Sequence, residues 1–256
     1  MLRLLIGTGV VLMVVGFGTA GWQYWQSVAG ADPAIRTAAG DVSAIWLGGP
    51  NGDIVPAEMA AAFLAQDRFV PTRLATITFP AALTGLLREG EPLPDPAFLE
   101  VMADIRAPRL AEVLCPVLTG LMAEECAVHS ARVVPGSVNP TLGTAQFRIE
   151  LAYRLLPDGA ELPDLAEHIF DTSAVEVSAL PENLATDTVG VALAAVIEAG
   201  QLGCTSDNAG SPCRIIALTL DWRSGSPFHG IARIGWLAPL PDGVFAAPEI
   251  GPATGG

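Results

Sequence analysis

Apolar and polar residues alternate along two pairs of short segments in the C-terminal part of the chain. The first pair covers residues 127–134 and 145–155, and the second covers residues 214–222 and 230–237. Alternation with a period of two is typical of strands that bury one face and expose the other. Because stretches rich in glycine, proline and serine separate the members of each pair, the pattern predicts two antiparallel hairpins.

A longer amphipathic segment precedes each hairpin. In residues 109–124, apolar side chains recur three and four positions apart, which is the spacing of one buried helix face. The residues of this stripe are Leu110, Val113, Leu114, Val117, Leu118, Leu121 and Met122. Pro116 lies within the segment, and we expect its ring to kink the helix. Residues 187–202 are predicted to form the corresponding helix of the second part.

The same order of elements therefore occurs twice. A short alternating run precedes each predicted helix, at residues 99–105 and 175–180, and Leu-Pro-Asp-Gly closes each part, at residues 156–159 and 240–243. Internal repetition of this kind constrains the architecture of a chain. The sequence predicts an α+β fold in which a β-α-β-β module with an antiparallel hairpin is duplicated.

Four cysteines occupy matching places in the two predicted modules. Each module has one cysteine in or just after its helix and one at the start of its first hairpin strand. Four cysteines allow three pairings, and the repeat selects Cys115 with Cys126 and Cys204 with Cys213. Neither pair has the Cys-x-x-Cys spacing of a thiol oxidoreductase. We therefore expect two structural disulfides, which form in oxidising compartments.

The N-terminus contains an almost uninterrupted apolar run. Residues 4–22 are about long enough to span a bilayer. Arg3 precedes the run, and the aromatic residues Trp22, Tyr24 and Trp25 at its end are typical of a membrane interface. We predict a single-pass helix in the inner (cytoplasmic) membrane, with the N-terminus in the cytoplasm and the body in the periplasm. The alternative is a cleaved signal peptide, for which residues 29–31 offer an acceptable site.

Changes in composition divide the chain into segments. A stretch rich in alanine and glycine follows the apolar run, and three prolines between residues 91 and 96 mark a boundary. Between these points, residues 73–79 alternate as a strand and residues 81–88 are typical of a helix. The predicted segments are an anchor (1–28), a linker (29–40), a front α/β segment (41–96), the first repeat (97–163), the second repeat (164–243) and a flexible tail (244–256).

Acidic residues outnumber basic ones. The chain has 27 acidic and 13 basic residues, and its formal net charge is −14. Such a chain repels phosphate backbones, so we expect no nucleic-acid partner. Arginines on predicted exposed strand faces could grip carboxylates of a partner, or could pair with neighbouring acids such as Glu150 at little net energy. The candidate interaction face consists of Arg132, Arg148, Arg154 and Arg233.

The sequence offers few groups for catalysis. His129, His168 and His229 are scattered, and the chain has no nucleophile elbow, no His-Glu-x-x-His pair and no phosphate-binding glycine loop. We expect no catalytic residues, no cofactor and no metal site.

These patterns predict a membrane-anchored periplasmic interaction or accessory subunit, without enzymatic activity, that binds other membrane or periplasmic proteins. One alternative is an extracytoplasmic hydrolase, which a deep pocket holding at least two of the three histidines and nearby carboxylates would favour. Another alternative is a small-ligand or cation-binding protein. A cleft lined by Trp222, Trp236 and Tyr153 would favour that interpretation.

Overall fold

The computed structural model describes residues 54–179, 186–207, 211–223 and 226–240. These residues belong to one compact unit, Val42–Gly256. The predicted membrane helix at residues 4–22, its interface residues Trp22, Tyr24 and Trp25, the linker at 29–40 and the tail at 244–256 lie outside the described residues.

Four helices and six strands make up the described part of the chain. The helices are α1 (Ala57–Leu64), α2 (Leu99–Arg106), α3 (Pro108–Leu121) and α4 (Thr186–Asp207). The strands are β1 (Leu74–Ala82), β2 (Ala123–Val133), β3 (Thr144–Leu155), β4 (His168–Ala179), β5 (Cys213–Asp221) and β6 (Phe228–Pro239). Short 3₁₀ turns at Leu83–Leu86, Pro96–Phe98 and Leu165–Glu167 connect some of these elements.

The six strands form one mixed sheet in the order β2-β3-β1-β5-β6-β4. Strands β1 and β5 pair in parallel, and the other neighbours pair antiparallel. The predicted α+β class and both predicted antiparallel hairpins, β2–β3 and β5–β6, are therefore confirmed. Strands from the front segment and from both predicted repeats share this one sheet.

Helices α3 and α4 cover one face of the sheet and enclose the main core. In β3 the alternating residues Phe147, Ile149, Leu151 and Tyr153 are fully buried against this layer, as their spacing predicts. The apolar stripe of α3 buries Leu110, Leu114 and Leu118 in the same core. Pro116 lies inside α3, which continues to Leu121. Trp222 and Tyr153 are core residues, so they do not line a ligand cleft.

The predicted strand at residues 99–105 is wrong, because these residues form helix α2. Leu99 and Ala103, four positions apart, are buried, whereas Val101 and Ile105 point away from the core and are 58% and 72% exposed. Leucine, methionine, alanine and glutamate also favour a helix. The strand that precedes α3 in the sheet is β1, which the sequence places in the front segment.

The predicted helix at residues 81–88 is also wrong. Ala81 and Ala82 complete β1, and Leu83–Leu86 forms a 3₁₀ turn. Leu83 and Leu86 are both buried in the main core. Burial of these two leucines three positions apart fits a single tight turn as well as it fits a helix.

Helix α1 packs on the opposite face of the sheet and forms a smaller core. The ring centroids of Phe63 and Phe170 are 5.4 Å apart. Two buried arginines hold the C-terminal end of α1: Arg73 donates to the carbonyl oxygen of Ala65 at 2.9 Å, and Arg214 donates to that of Phe63 at 3.1 Å. Cations at this position also interact favourably with the helix dipole. Burial lowers the pKa of Arg73 to about 10, so its guanidinium remains charged at neutral pH.

Candidate interaction groove

A groove of about 1520 Å³ lies where helix α2 meets the sheet face that α3 and α4 leave uncovered. Its floor is polar and comes from four adjacent strands: Arg132, Gln146, Arg148, Thr76, Thr78, Thr219 and Asp221. Its wall is one side of α2, with Glu100, Val101, Asp104 and Ile105, and its rim is the loop after β2, with Val134, Pro135 and Ser137. We call this feature the α2 groove.

Arg132 and Arg148 lie directly opposite each other on β2 and β3. The Nη2 atom of Arg148 donates to Glu150 at 2.8 Å, and its Nε donates to the same carboxylate at 3.2 Å. Glu150 also accepts from the Ser130 hydroxyl at 2.8 Å, and this hydrogen bond is the largest cause that lowers the pKa of Glu150. Arg132 is exposed, and no acceptor among the described residues binds its guanidinium. The groove therefore contains two neighbouring arginines, of which Arg148 has a carboxylate partner and Arg132 has none among the described residues.

Hydrogen bonds hold both ends of helix α2. The Asp95 side chain accepts from the backbone N–H of Ala97 at 3.0 Å and caps the turn that leads into the helix. At the other end, Arg106 donates to Glu91 through two hydrogen bonds of 2.8 and 2.6 Å. Hydrogen bonding to Arg106 is the main reason that the pKa of Glu91 falls to about 2.

Two carboxylates of α2 face the end of strand β2. Asp104 accepts from the backbone N–H of Val133 at 3.1 Å, and Glu100 accepts from that of Gly136 at 3.4 Å. These contacts hold the wall of the groove against its rim.

The structure separates the other two arginines of the predicted face from this groove. Arg154 forms ion pairs with Glu124 at 3.3 Å and Glu125 at 2.8 Å. Arg233 lies on β6 and lines a smaller crevice of about 430 Å³ that also contacts Met59 of α1. Only Arg132 and Arg148 of the four predicted residues therefore share one site.

Both predicted disulfides are confirmed. Cys115 of α3 is bonded to Cys126 of β2, and Cys204 of α4 is bonded to Cys213 of β5, with Cα–Cα distances of 5.5 and 5.4 Å. Each bond joins a helix to the first strand of the hairpin that follows it.

The histidines lie on three different strands. His129 is on the edge strand β2, His168 begins β4, and His229 is near the start of β6. In the sheet, His229 has Asp221 on one side and Ser178 on the other, an arrangement that the sequence did not reveal. No hydrogen bond within the described residues joins these three side chains, and no cavity described above includes a histidine. Among the same residues, no group of three or more His, Cys, Asp or Glu side chains could hold a metal ion.

One helix in the described part of the chain is long and apolar enough to cross a membrane by length and composition. It covers Thr188–Ser206, with a mean hydropathy of 1.4, and lies within α4. In the fold, α4 packs on the sheet and buries Val189, Leu193, Val196 and Ile197 in the main core.

Sequence reasoning missed the wall of the α2 groove, because it assigned Glu100, Val101, Asp104 and Ile105 to a strand. The dipeptide Asp95-Pro96 could have indicated the helix, since aspartate is a preferred N-cap and proline is tolerated in the first turn. No protein-family model matches the chain. Neither a curated protein nor a solved structure shows significant similarity to it.

Proposed function

We propose that this chain is a membrane-anchored periplasmic accessory subunit, without enzymatic activity, that binds a partner protein of the cell envelope through the α2 groove. Its body is a duplicated β-α-β-β module, in which β1 rather than residues 99–105 is the first strand of the first copy. The tether is the apolar run at residues 4–22, and the compartment is the one in which disulfides are stable.

Matching topology supports the duplication. In the first copy the strands are ordered β2-β3-β1, and in the second they are ordered β5-β6-β4. In both copies the last strand of the module therefore lies in the middle. It pairs with the first strand on one side and with the other hairpin strand on the opposite side. The parallel pair β1–β5 joins the two copies head to tail.

Matching irregularities support it further. A β-bulge interrupts the β2–β3 pair between Val128 and Ser130, and another interrupts the β5–β6 pair between Ile215 and Ala217. The extra residue of each bulge comes three positions after the cysteine of that strand. Bulges are specific features of a sheet, and a shared bulge beside a shared disulfide aligns the copies residue by residue.

This alignment shows where the copies differ. Arg132 corresponds to Thr219, and Arg148 corresponds to Ile231, so the arginine pair exists only in the first copy. Residues 83–107, which include α2, separate β1 from α3, whereas residues 180–185 separate β4 from α4. The hairpin loop is also longer in the first copy, at residues 134–143.

All three departures from the repeat meet at one place, the α2 groove. Helix α2 is its wall, the longer loop is its rim, and the arginine pair lies on its floor. Departures that only loosened the fold would be expected to scatter over loops. Their convergence is the single observation that carries the proposal of a binding site here.

The test uses the full-length chain in the cell envelope of its own host, with a photo-crosslinking amino acid in place of Val101. The matched control carries the same amino acid at Leu202, which is 68% exposed on α4 and outside the groove. A membrane or periplasmic protein that crosslinks at position 101 and not at position 202 is the expected result. Equal crosslinking at both positions, or none at position 101, would contradict the proposal.

A further inference from the structure

The α2 groove has two neighbouring arginines on its floor and two exposed aliphatic side chains on its wall. Arg132 and Arg148 face each other directly across two paired strands, a placement that is unfavourable for like charges unless an anion lies between them. Glu150 neutralises Arg148 alone. The floor therefore has room for one further carboxylate, and a bidentate arginine contact is the geometry that a carboxylate prefers.

The acidic side chains that line the groove remain charged, and each has a contact of its own. Asp104 accepts from Val133, Glu100 accepts from Gly136, and Asp221 lies 3.4 Å from Arg223. Of the three arginines that line the groove, Arg148 and Arg223 form ion pairs, and Arg132 forms none with another described residue.

The wall of the groove contributes exposed apolar side chains. Val101 and Ile105 are one helical turn apart on α2, line the groove, and remain largely exposed. When a partner covers large aliphatic side chains, the apolar area removed from water stabilises the complex.

We propose that the α2 groove binds an extended segment of the partner protein in which carboxylates alternate with apolar side chains. One carboxylate bridges the guanidiniums of Arg132 and Arg148, and an apolar neighbour covers Val101 and Ile105. In an extended segment, successive side chains point to opposite sides, so one strand can meet floor and wall together. The inference rests on the proposed function and adds the chemistry of the partner segment that the α2 groove binds.

The overall charge of the chain limits the length of the ligand. With a net charge of −14, the protein repels long polyanions outside the groove. A short acidic segment of a folded partner avoids that repulsion, whereas a nucleic acid or an anionic lipid surface does not.

The probe is a fluorescein-labelled heptapeptide, SLDVDLS, with its amide counterpart SLNVNLS as the control. Binding to the full-length protein in detergent is measured by fluorescence anisotropy at about 50 and about 300 mM salt, because exposed charge pairs weaken over this range. The acidic peptide is expected to bind at least about tenfold more tightly than the amide peptide at low salt, which corresponds to about 1.4 kcal/mol. The difference is expected to shrink at high salt.

Protein variants test the contributions of the floor and of the wall to peptide binding separately. The double variant Arg132→Glu/Arg148→Glu is expected to lose binding of the acidic peptide and to bind the basic peptide SLRVRLS more tightly than the acidic one. Val101→Ser/Ile105→Ser is expected to weaken both the acidic and the amide peptide by a similar factor. Arg154→Glu removes an arginine that lies outside the groove and is expected to bind like the wild type. Circular dichroism and intact disulfides verify that each variant is folded.

Equal binding of the acidic and amide peptides would overturn the inference. So would a loss of acidic-peptide binding in Arg154→Glu as large as that in Arg132→Glu/Arg148→Glu. Full competition by inorganic phosphate would also overturn it, because it would indicate a simple anion site. If a partner crosslinks at position 101 through a segment without carboxylates, the inference fails and the proposed function stands. If the acidic peptide binds but no partner crosslinks there, the proposed function fails instead.

Discussion

The backbone N–H of Val133 donates to the carboxylate of Asp104 over 3.1 Å. Val133 is at the end of β2, an edge strand of the sheet. In the duplication proposed above it corresponds to Leu220, which pairs with Ile77 in the parallel pair β1–β5. In the proposed duplication, the position that pairs with β1 in the second copy is therefore the position that Asp104 caps in the first. Unprotected edges invite pairing with another chain.

Replacing Asp104 by alanine is expected to expose this edge. The Val133 N–H loses its acceptor, which costs about 1–3 kcal/mol when a half-buried donor is left unsatisfied. We expect a lower free energy of unfolding in urea, together with concentration-dependent self-association in sedimentation velocity.

Asp104→Asn is the matched control, because its side-chain oxygen can still accept from Val133. This variant is expected to remain as monodisperse as the wild type. An alanine variant with wild-type stability would show that the Asp104 contact does not protect the edge.

Removal of the disulfides tests the equivalence of the two copies. Each closes a short loop, of sequence separation 11 for Cys115–Cys126 and 9 for Cys204–Cys213. Loop entropy predicts that replacing either pair by alanine lowers the free energy of unfolding by about 2–3 kcal/mol. Because the loops are alike, urea denaturation should give similar losses for the two double variants.

Reduction of the wild-type protein provides the comparison for these variants. It should reproduce approximately the sum of the two losses if the sites are independent. A large loss from one pair and none from the other would show that the two modules are not structurally equivalent.

Much of the sheet and both disulfides could be predicted from the sequence. Phe147, Ile149 and Leu151 belong to a run of alternating apolar and polar residues that is long enough to indicate a half-exposed strand. Each predicted repeat contains one cysteine near its helix and one at the start of its first hairpin strand, so the pairing could be predicted without knowledge of distances.

The wall of the groove could not be predicted, because the pattern at residues 99–105 fits two periods. Apolar residues at alternate positions satisfy a strand, whereas the helix buries only Leu99 and Ala103 and leaves Val101 and Ile105 for the groove. A buried pair four positions apart within a short segment carries too little information to separate the two periods. Because of that ambiguity, the sequence did not reveal the wall of the groove.

The separation of Arg233 from Arg132 and Arg148 has a different cause. Arg233 lies on β6, and strands β1 and β5 lie between β6 and β3. The bulge in β5 also sets its partner, so that Arg233 lies opposite Ala217. A bulge changes which residues meet across a strand pair, and alternation alone does not reveal its position.

Two glycines test the packing of α4 on the sheet. A Cβ atom at Gly230 of β6 would overlap Cγ2 of Val196 on α4, a fully buried side chain. Gly230→Ala is therefore expected to lower the free energy of unfolding by about 1–3 kcal/mol through overpacking. Thermal or urea denaturation provides the measurement.

Gly120→Ala is the contrasting variant, because a Cβ atom there meets nothing within 4 Å. Gly120 lies in α3, where alanine is favoured over glycine by roughly 0.5–1 kcal/mol, so this variant should be stabilised. Adding Val196→Ala to Gly230→Ala should recover part of the lost stability. A destabilised Gly120→Ala together with an unaffected Gly230→Ala would contradict the packing described here.

The ion pair that anchors α2 predicts a pH dependence. Hydrogen bonds from Arg106 are the main cause that lowers the pKa of Glu91 from an ordinary value of 4.5 to about 2 in the folded chain. A carboxylate with a depressed folded pKa stabilises the fold above its unfolded pKa and loses that contribution as the pH falls. The wild-type stability attributable to this pair should therefore be complete above about pH 4.5 and should disappear between about pH 4.5 and pH 2.

Glu91→Gln isolates this contribution. Its stability deficit relative to the wild type, measured by urea denaturation, should be constant near neutral pH and should shrink as the pH approaches 2. Glu89→Gln, at an exposed neighbouring position, should show no such convergence. Because Arg106 also holds α2 against Leu86, with 3.3 Å between Arg106 Nη1 and the Leu86 carbonyl oxygen, Glu91→Gln should loosen the wall of the groove. Faster amide exchange in residues 99–106 of Glu91→Gln, with unchanged exchange in α4, would demonstrate this coupling, and uniform exchange in both helices would refute it.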